Sequence, residues 1–313
     1  MEAMTRLEPE IARSHHRRIL TDRSGDTFRP LEPDCKVVQF NRPLPADELR
    51  KAAELMRNRP DVQLYIYDPA CRNLDFLGYF GNLRRLQLGL YELEDISGLS
   101  TVGRTLEELT FGSTRRSFSL RILESLPRLR CLFLAGHKRD LAAVQTLKDI
   151  TRLGLSGLTL PDLSIILPLA RLSDLSIMLG GTSDLGLLPS FPALESLMLM
   201  RITRMSDLGV LANLPSLRSL HLDWMRNVTA LPSLAPLHRL EKIKLDTMKG
   251  LSDLSPIAAA PSLRELIVTS MPQLKAESFR CLVGHPHLRK LSAQLGRNRV
   301  NEEIKRMFPG VAA

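Results

Sequence analysis

Apolar residues recur along most of the chain in one fixed phrase. Leu83-x-x-Leu86-x-Leu88 returns with the same LxxLxL spacing from Leu106, Leu129, Ile150, Leu172, Leu194, Leu217, Leu240, Leu263 and Leu288, at steps of 21 to 25 residues. All thirty positions of the phrase are apolar, twenty-four of them Leu, so the phase is kept throughout. The alternation within each phrase predicts a short strand with positions four and six turned inward and positions three, five and seven on the other face. The remainder of each repeat is too short for a long crossover helix. A single unit has nothing against which to bury its apolar edge, so units must stack, and the pattern predicts a solenoid of parallel strands.

The flanking segments read as ends for this array. Residues 61–67, Asp-Val-Gln-Leu-Tyr-Ile-Tyr, form a strand in phase 22 residues before Leu83, a degenerate first unit. Before it, Lys36-Val37-Val38-Gln39-Phe40 is a short apolar run. A helix then follows from Pro45 to about Arg57, with Leu49, Ala52, Ala53 and Met56 on one face and Asp47 and Glu48 near its start. Residues 1–34 carry no sustained period and read as a loosely packed arm. Pro127, Pro192, Pro215, Pro261 and Pro286 each stand two residues before the first apolar position of a unit, where a residue without an amide ends the preceding turn. After Ala293 the phrase fades, and residues 301–308 read as a closing helix with Asn301 as its cap. The expected organisation is an arm at 1–34, a strand and helix cap at 35–60, the array at 61–295 and a helical cap at 296–313.

Composition narrows what such an array does. No stretch approaches the eighteen consecutive apolar residues of a membrane span. The first twenty residues mix acids and bases and lack the apolar core of a secretory signal. Cys35, Cys71, Cys131 and Cys281 are scattered without metal-ligand or disulfide-framework spacing, so the sequence reads as a cytoplasmic protein, an injected effector being the other setting. The net charge of +9 invites the alternative of binding to nucleic acid or an anionic surface through dispersed basic residues. Its distribution opposes that reading, because residues before 60 hold 12 basic and 10 acidic side chains and the rest hold 31 and 24. A dispersed basic surface suits an acidic protein partner better.

The phrase, the step of 22 to 23 residues and the segments of the form Asp253-Leu254-Ser255-Pro256-Ile257 and Asp207-Leu208-Gly209-Val210-Leu211 resemble the leucine-rich repeat family over roughly residues 61–295. They are most similar to its short-repeat branch of internalin-like and phosphatase-regulator-like proteins. The resemblance implies an α/β solenoid, a curved array with a parallel concave β-sheet and short helical or 3-10 segments on the convex side. It also implies a non-catalytic module that grips a protein or peptide on the concave sheet, as an adaptor, effector or immunity-type protein, without a cofactor. One departure stands out. The family carries Asn at the ninth position, where its side chain supports the bend, but this chain has Tyr91, Thr114, His137, Leu158, Gly180, Ile202, Met225, Met248, Met271 and Gly296. Buried backbone groups still need partners, so the bend is expected to differ, with Ile202, Met225, Met248 and Met271 supplying apolar support.

Columns of the variable positions give the candidate site. Position five runs through Tyr65, Phe133, Met198, His221 and Lys244; position seven through Tyr67, Met178, Met200, Asp223 and Asp246; position eight adds Leu179, Arg201 and Trp224. Met178, Leu179, Met198 and Met200 form an apolar stretch where solvent is expected, beside the sole Trp of the chain. Trp and Arg are favoured interface anchors, which singles out Trp224 and Arg201. His221 and Asp223 could pair as a base and its orienting acid, yet no Ser or Cys nucleophile stands in phase beside them. Cross-strand charge pairing of Asp223 with Lys244 accounts for the same residues. Tyr65 and Tyr67 read as a second anchor or as packing for the cap helix. His285 and His287 supply only two ligands around Pro286, and no metal site is assigned to them.

Overall fold

A computed structural model describes residues 17–20, 28–182 and 184–311. The chain divides into two compact units, Met1–Ile150 and Thr151–Ala313. The first unit holds strands β1 (Arg17–Leu20), β2 (Val37–Phe40), β3 (Gln63–Ile66), β4 (Arg85–Leu88), β5 (Glu108–Phe111) and β6 (Cys131–Ala135). Each pairs in parallel with the next in chain order. The second holds β7 (Arg152–Ser156), β8 (Asp174–Met178), β9 (Ser196–Met200), β10 (Ser219–Asp223), β11 (Lys242–Asp246), β12 (Glu265–Thr269) and β13 (Lys290–Gln294), again parallel and in order. The register aligns like positions of successive repeats: Leu220 faces Leu197 on one side and Ile243 on the other. Every position of the apolar phrase is buried except Ala293, which is half-exposed near the end of the run.

The connections are short, as their length requires. Most are 3-10 turns, among them Ser97–Val102, Ser164–Ile166, Leu188–Ser190 and Gly209–Asn213; Ser255–Ala258 forms a single α-turn. Aspartate starts them by a recurring local bond. The side chains of Asp95, Asp162, Asp184, Asp207 and Asp253 each accept the backbone N–H two residues on, at 2.7 to 2.8 Å. Between β2 and β3 the connection is a full helix, α1 (Ala46–Met56), with Leu49, Ala52 and Met56 of the predicted face buried and Ala53 half-buried.

Two terminal expectations change. Arg17–Leu20, assigned to a loose arm, is strand β1, paired residue for residue with β2 and with Leu20 fully buried. A four-residue strand is too short to show a period. The rest of that arm, residues 1–16 and 21–27, lies outside the described residues. At the other end, helix α2 runs Asn298–Met307 and starts three residues earlier than predicted, so Asn301 lies inside it. The Asn301 side chain instead accepts the backbone N–H of Leu295 at 3.0 Å.

The bend without an asparagine column has a backbone solution. At position eight the chain enters the left-handed region in seven successive repeats: Gly136, Gly157, Leu179, Arg201, Trp224, Thr247 and Ser270, with φ between 53° and 77°. Five of these carry side chains, at a cost of roughly 1–2 kcal/mol each. In the second unit the turned amide is used. The N–H of Gly157, Leu179, Arg201, Trp224, Thr247 and Ser270 donates to the position-seven carbonyl of the following repeat, at 2.9 to 3.1 Å. At the start of each strand the direction is opposite: the amides of Glu241 and Lys242 donate back to Arg218, and those of Arg264 and Glu265 back to Glu241. Each repeat is therefore held by both neighbours. Beneath the bend, Ile202, Met225, Met248 and Met271 are buried as expected, and the Gln273 side-chain amide donates to the carbonyls of Met248 and Leu251.

Candidate functional site

In the second unit the strand register assembles three parallel rows. Position five places Ser176, Met198, His221, Lys244, Ile267 and Ser292 side by side across β8 to β13, all half-buried. Toward the strand starts lies an ionic row. Arg218 sits 3.5 Å from Glu195 and 3.4 Å from Glu241, and Glu265 lies 3.1 Å from Lys242 and 3.0 Å from Lys290. Burial raises the Glu265 carboxyl, but hydrogen bonds from Lys290 and Lys242 outweigh it and hold the group below its ordinary value.

Position seven is not the open apolar surface the sequence suggested. Met178 is 0% exposed, Met200 3% and Asp223 4%. In-register stacking sets these side chains about 4.8 Å apart, so each is flanked by the next: Met178 by Met200, Met200 by Asp223, and Asp223 by Asp246. Leu179, one residue on, remains 37% exposed because the left-handed turn redirects its side chain. Of the proposed apolar stretch, Met198 and Leu179 are thus accessible and the other two are core.

His221 is poorly suited to act as a base beside Asp223. Burial pushes the His221 imidazole down to about 4, with the positive charge of Lys244 opposite it adding to the shift. A group with so low a pKa is a weak base at neutral pH. Its Nε2 is buried without a hydrogen-bond partner. The register also sets Lys244 opposite His221 and Asp246 opposite Asp223, so the direct neighbour of Asp223 is another carboxylate, and Lys244 is offset from it by two residues. The Asp246 carboxylate accepts from the Thr247 hydroxyl at 2.8 Å.

At the strand ends, Trp224 lies under two guanidinium groups, with Arg201 at 4.3 Å and Arg226 at 4.9 Å from the ring centroid. The sequence singled out Trp224 and Arg201 but missed Arg226, which follows two residues after the Trp. Beside them, Thr159, Leu179, Gly180, Gly181, Arg201, Thr203 and Arg204 line a cleft of about 450 Å³.

In the first unit, Phe133 is half-buried at position five of β6, opposite Thr110. The Tyr65 and Tyr67 rings are 6.3 Å apart, with the Arg17 guanidinium 5.4 Å from the Tyr65 ring. Both tyrosines lean over Gly89, where a Cβ would meet Tyr67 at 3.0 Å. The pair is packed on its neighbouring strand, with Tyr67 still exposed.

No protein-family model matches the sequence, and no curated protein is similar to it. Solved structures are similar in fold. An internalin from Listeria monocytogenes superposes with a TM-score of 0.52 at 20% identity, over 82% of this chain and 72% of the internalin. An LRR protein from Leptospira interrogans gives 0.50 at 18% identity, over 93% of this chain and 86% of that one. The chain has the leucine-rich repeat fold. TLR13, solved in complex with ssRNA13, gives 0.53 at 16% identity, over 84% of this chain and 47% of TLR13.

Within this leucine-rich repeat fold the ninth position also has a buried polar substitute for asparagine. His137 in the first unit is 1% exposed and stacks on Phe111 with ring centroids 4.0 Å apart. Its Nε2 lies 3.0 Å from the Gly112 carbonyl oxygen, in the preceding repeat. Burial lowers its pKa, and the bond to Gly112 opposes the shift. The sequence did carry a signal for the left-handed turn: Gly136 and Gly157 occupy position eight, and glycine adopts positive φ without strain.

Proposed function

We propose that this chain is a non-catalytic recognition module that binds a protein partner on the exposed sheet face of its second unit. The supporting observation is the position-five row. Six adjacent strands present Ser176, Met198, His221, Lys244, Ile267 and Ser292 in register, partly accessible, on backbone whose hydrogen bonds are already made. At about 4.8 Å per strand the row is roughly 24 Å long. An apolar centre in Met198 and Ile267 beside an ionic row has the anatomy of a protein interface. The position-seven residues Met178, Met200 and Asp223 are buried beside this row and take no part in the contact.

The basic excess suits nucleic acid less well. On the same face Arg218, Lys242 and Lys290 are engaged by Glu195, Glu241 and Glu265, which removes the phosphate-neutralising charge that such binding needs. The scattered cysteines support a reducing compartment, and no helix among the described residues is long and apolar enough to cross a membrane.

Immobilised chain should retain a protein from lysate at 0.3 M salt. The double variant Met198→Glu/Lys244→Glu should release it, while Leu167→Ser, an exposed site on a connecting turn, should not. Retention unchanged by the face variant, or abolished by salt alone, would refute the reading.

A further inference from the structure

A second surface of the same unit has an unbalanced charge that the sheet face does not explain. Around the cleft at the strand ends stand Arg201, Arg204 and Arg226. Among the described residues none of the three has a carboxylate within ion-pair distance, in contrast to Arg218, Lys242 and Lys290 in the ionic row. The acids that follow in the same repeats are otherwise engaged: Asp184 accepts the N–H of Gly186 and Asp207 that of Gly209.

The geometry shows how the cations are presented. Arg201 and Arg226 lie against the Trp224 ring. A guanidinium stacked by its face keeps its N–H edge free, and that edge is the part that grips a carboxylate with two parallel hydrogen bonds. The indole also takes conformational freedom from both side chains before any ligand arrives. Gly180 and Gly181 of the cleft lining lie close against the preceding repeat. A Cβ at Gly180 would stand 2.0 Å from the Leu158 carbonyl oxygen, and one at Gly181 would stand 3.0 Å from the Thr159 hydroxyl. The exposed Leu179 supplies an apolar wall.

We propose that this rim binds an acidic segment of a protein, with carboxylates on Arg201, Arg204 and Arg226 and an apolar side chain of that segment against Leu179. It shares with the recognition reading only the premise that the ligand is a protein, and it assigns a separate contact surface. A single-stranded nucleic acid fits less well, because base stacking needs an aromatic face and the two guanidinium groups already cover the Trp224 ring.

Trp224 is the only Trp of the chain, so its emission reports on the rim alone. Titration with an octaglutamate peptide should give a saturable change in emission and, independently, a calorimetric binding isotherm. Arg204→Ala/Arg226→Ala, two exposed sites, should weaken binding at least tenfold while leaving capture by the sheet face intact. Met198→Glu/Lys244→Glu should leave octaglutamate binding unchanged. The proposal is overturned if calorimetry shows no binding, if the arginine variant binds as well as the parent, or if decauridylate or inorganic phosphate competes as effectively as the peptide. Those outcomes leave the sheet-face reading standing, and loss of sheet-face capture alone leaves the rim standing.

Discussion

At Gly180 the carbonyl oxygen of Leu158 occupies the place of a side chain, 2.0 Å from where a Cβ would be. Gly180→Ala should therefore force two repeats apart and lower stability by roughly 2–4 kcal/mol in urea unfolding. Ser270 poses the opposite case, since it is exposed and left-handed at φ 55°. Ser270→Gly should raise stability by about 0.5–1 kcal/mol, the relief of left-handed strain less the added freedom of the unfolded chain. His221 gives a pH dependence. Its pKa falls from 6.5 to about 4 on folding, so between those values the unfolded chain holds the extra proton. Its contribution is complete above 6.5 and is lost as pH falls toward 4, a change of the order of 1–3 kcal/mol. The urea midpoint of the parent should drop more between pH 7 and pH 4.5 than that of His221→Gln; equal drops would show that the imidazole is not buried. None of these properties could be read from residue types. Trp224 and Arg201 were visible as anchors because large side chains stand out in a column, whereas the burial of Met178 and Met200 depends on neighbours 22 residues away.

Strands were the most legible elements, since an inward leucine pair every repeat leaves one register that buries them all. The connecting turns were legible too, through aspartate two residues before an amide it can cap. What escaped was whatever rests on a single bond. β1 has four residues and no repeat of its own, and Asn301 has the composition of a helix cap but serves the strand before it. By position, Leu295 is the eighth residue of the last repeat, the place where earlier repeats donate forward to a neighbour's carbonyl. The Asn301 side chain takes that donor. Asn301→Ala should cost about 1 kcal/mol and speed hydrogen exchange at Leu295 more than at Leu245, with equal exchange counting against the assignment.

Within each unit, strands contact only the strands beside them in sequence, so stability is a sum of local repeat and interface contributions. Leu266→Ala, at a fully buried position, should cost about 2–5 kcal/mol. Its loss of exchange protection should centre on β11 to β13 and fade toward β8; uniform loss across the unit would mean that the seven strands unfold as one. The same locality explains which parts of the candidate site the sequence disclosed. Columns follow from the repeat length alone, while the presence of Arg226 against Trp224 depends on a turn that the repeat length does not specify. The forward bond at position eight reaches further. Every repeat of the second unit needs a successor to accept its turned amide, and any successor will do, because a backbone carbonyl is the same in all of them. A duplicated repeat inserted before β13 would find its donors and acceptors already provided. Asn301 would still close the last repeat, because its side chain takes the one turned amide that has no successor to accept it.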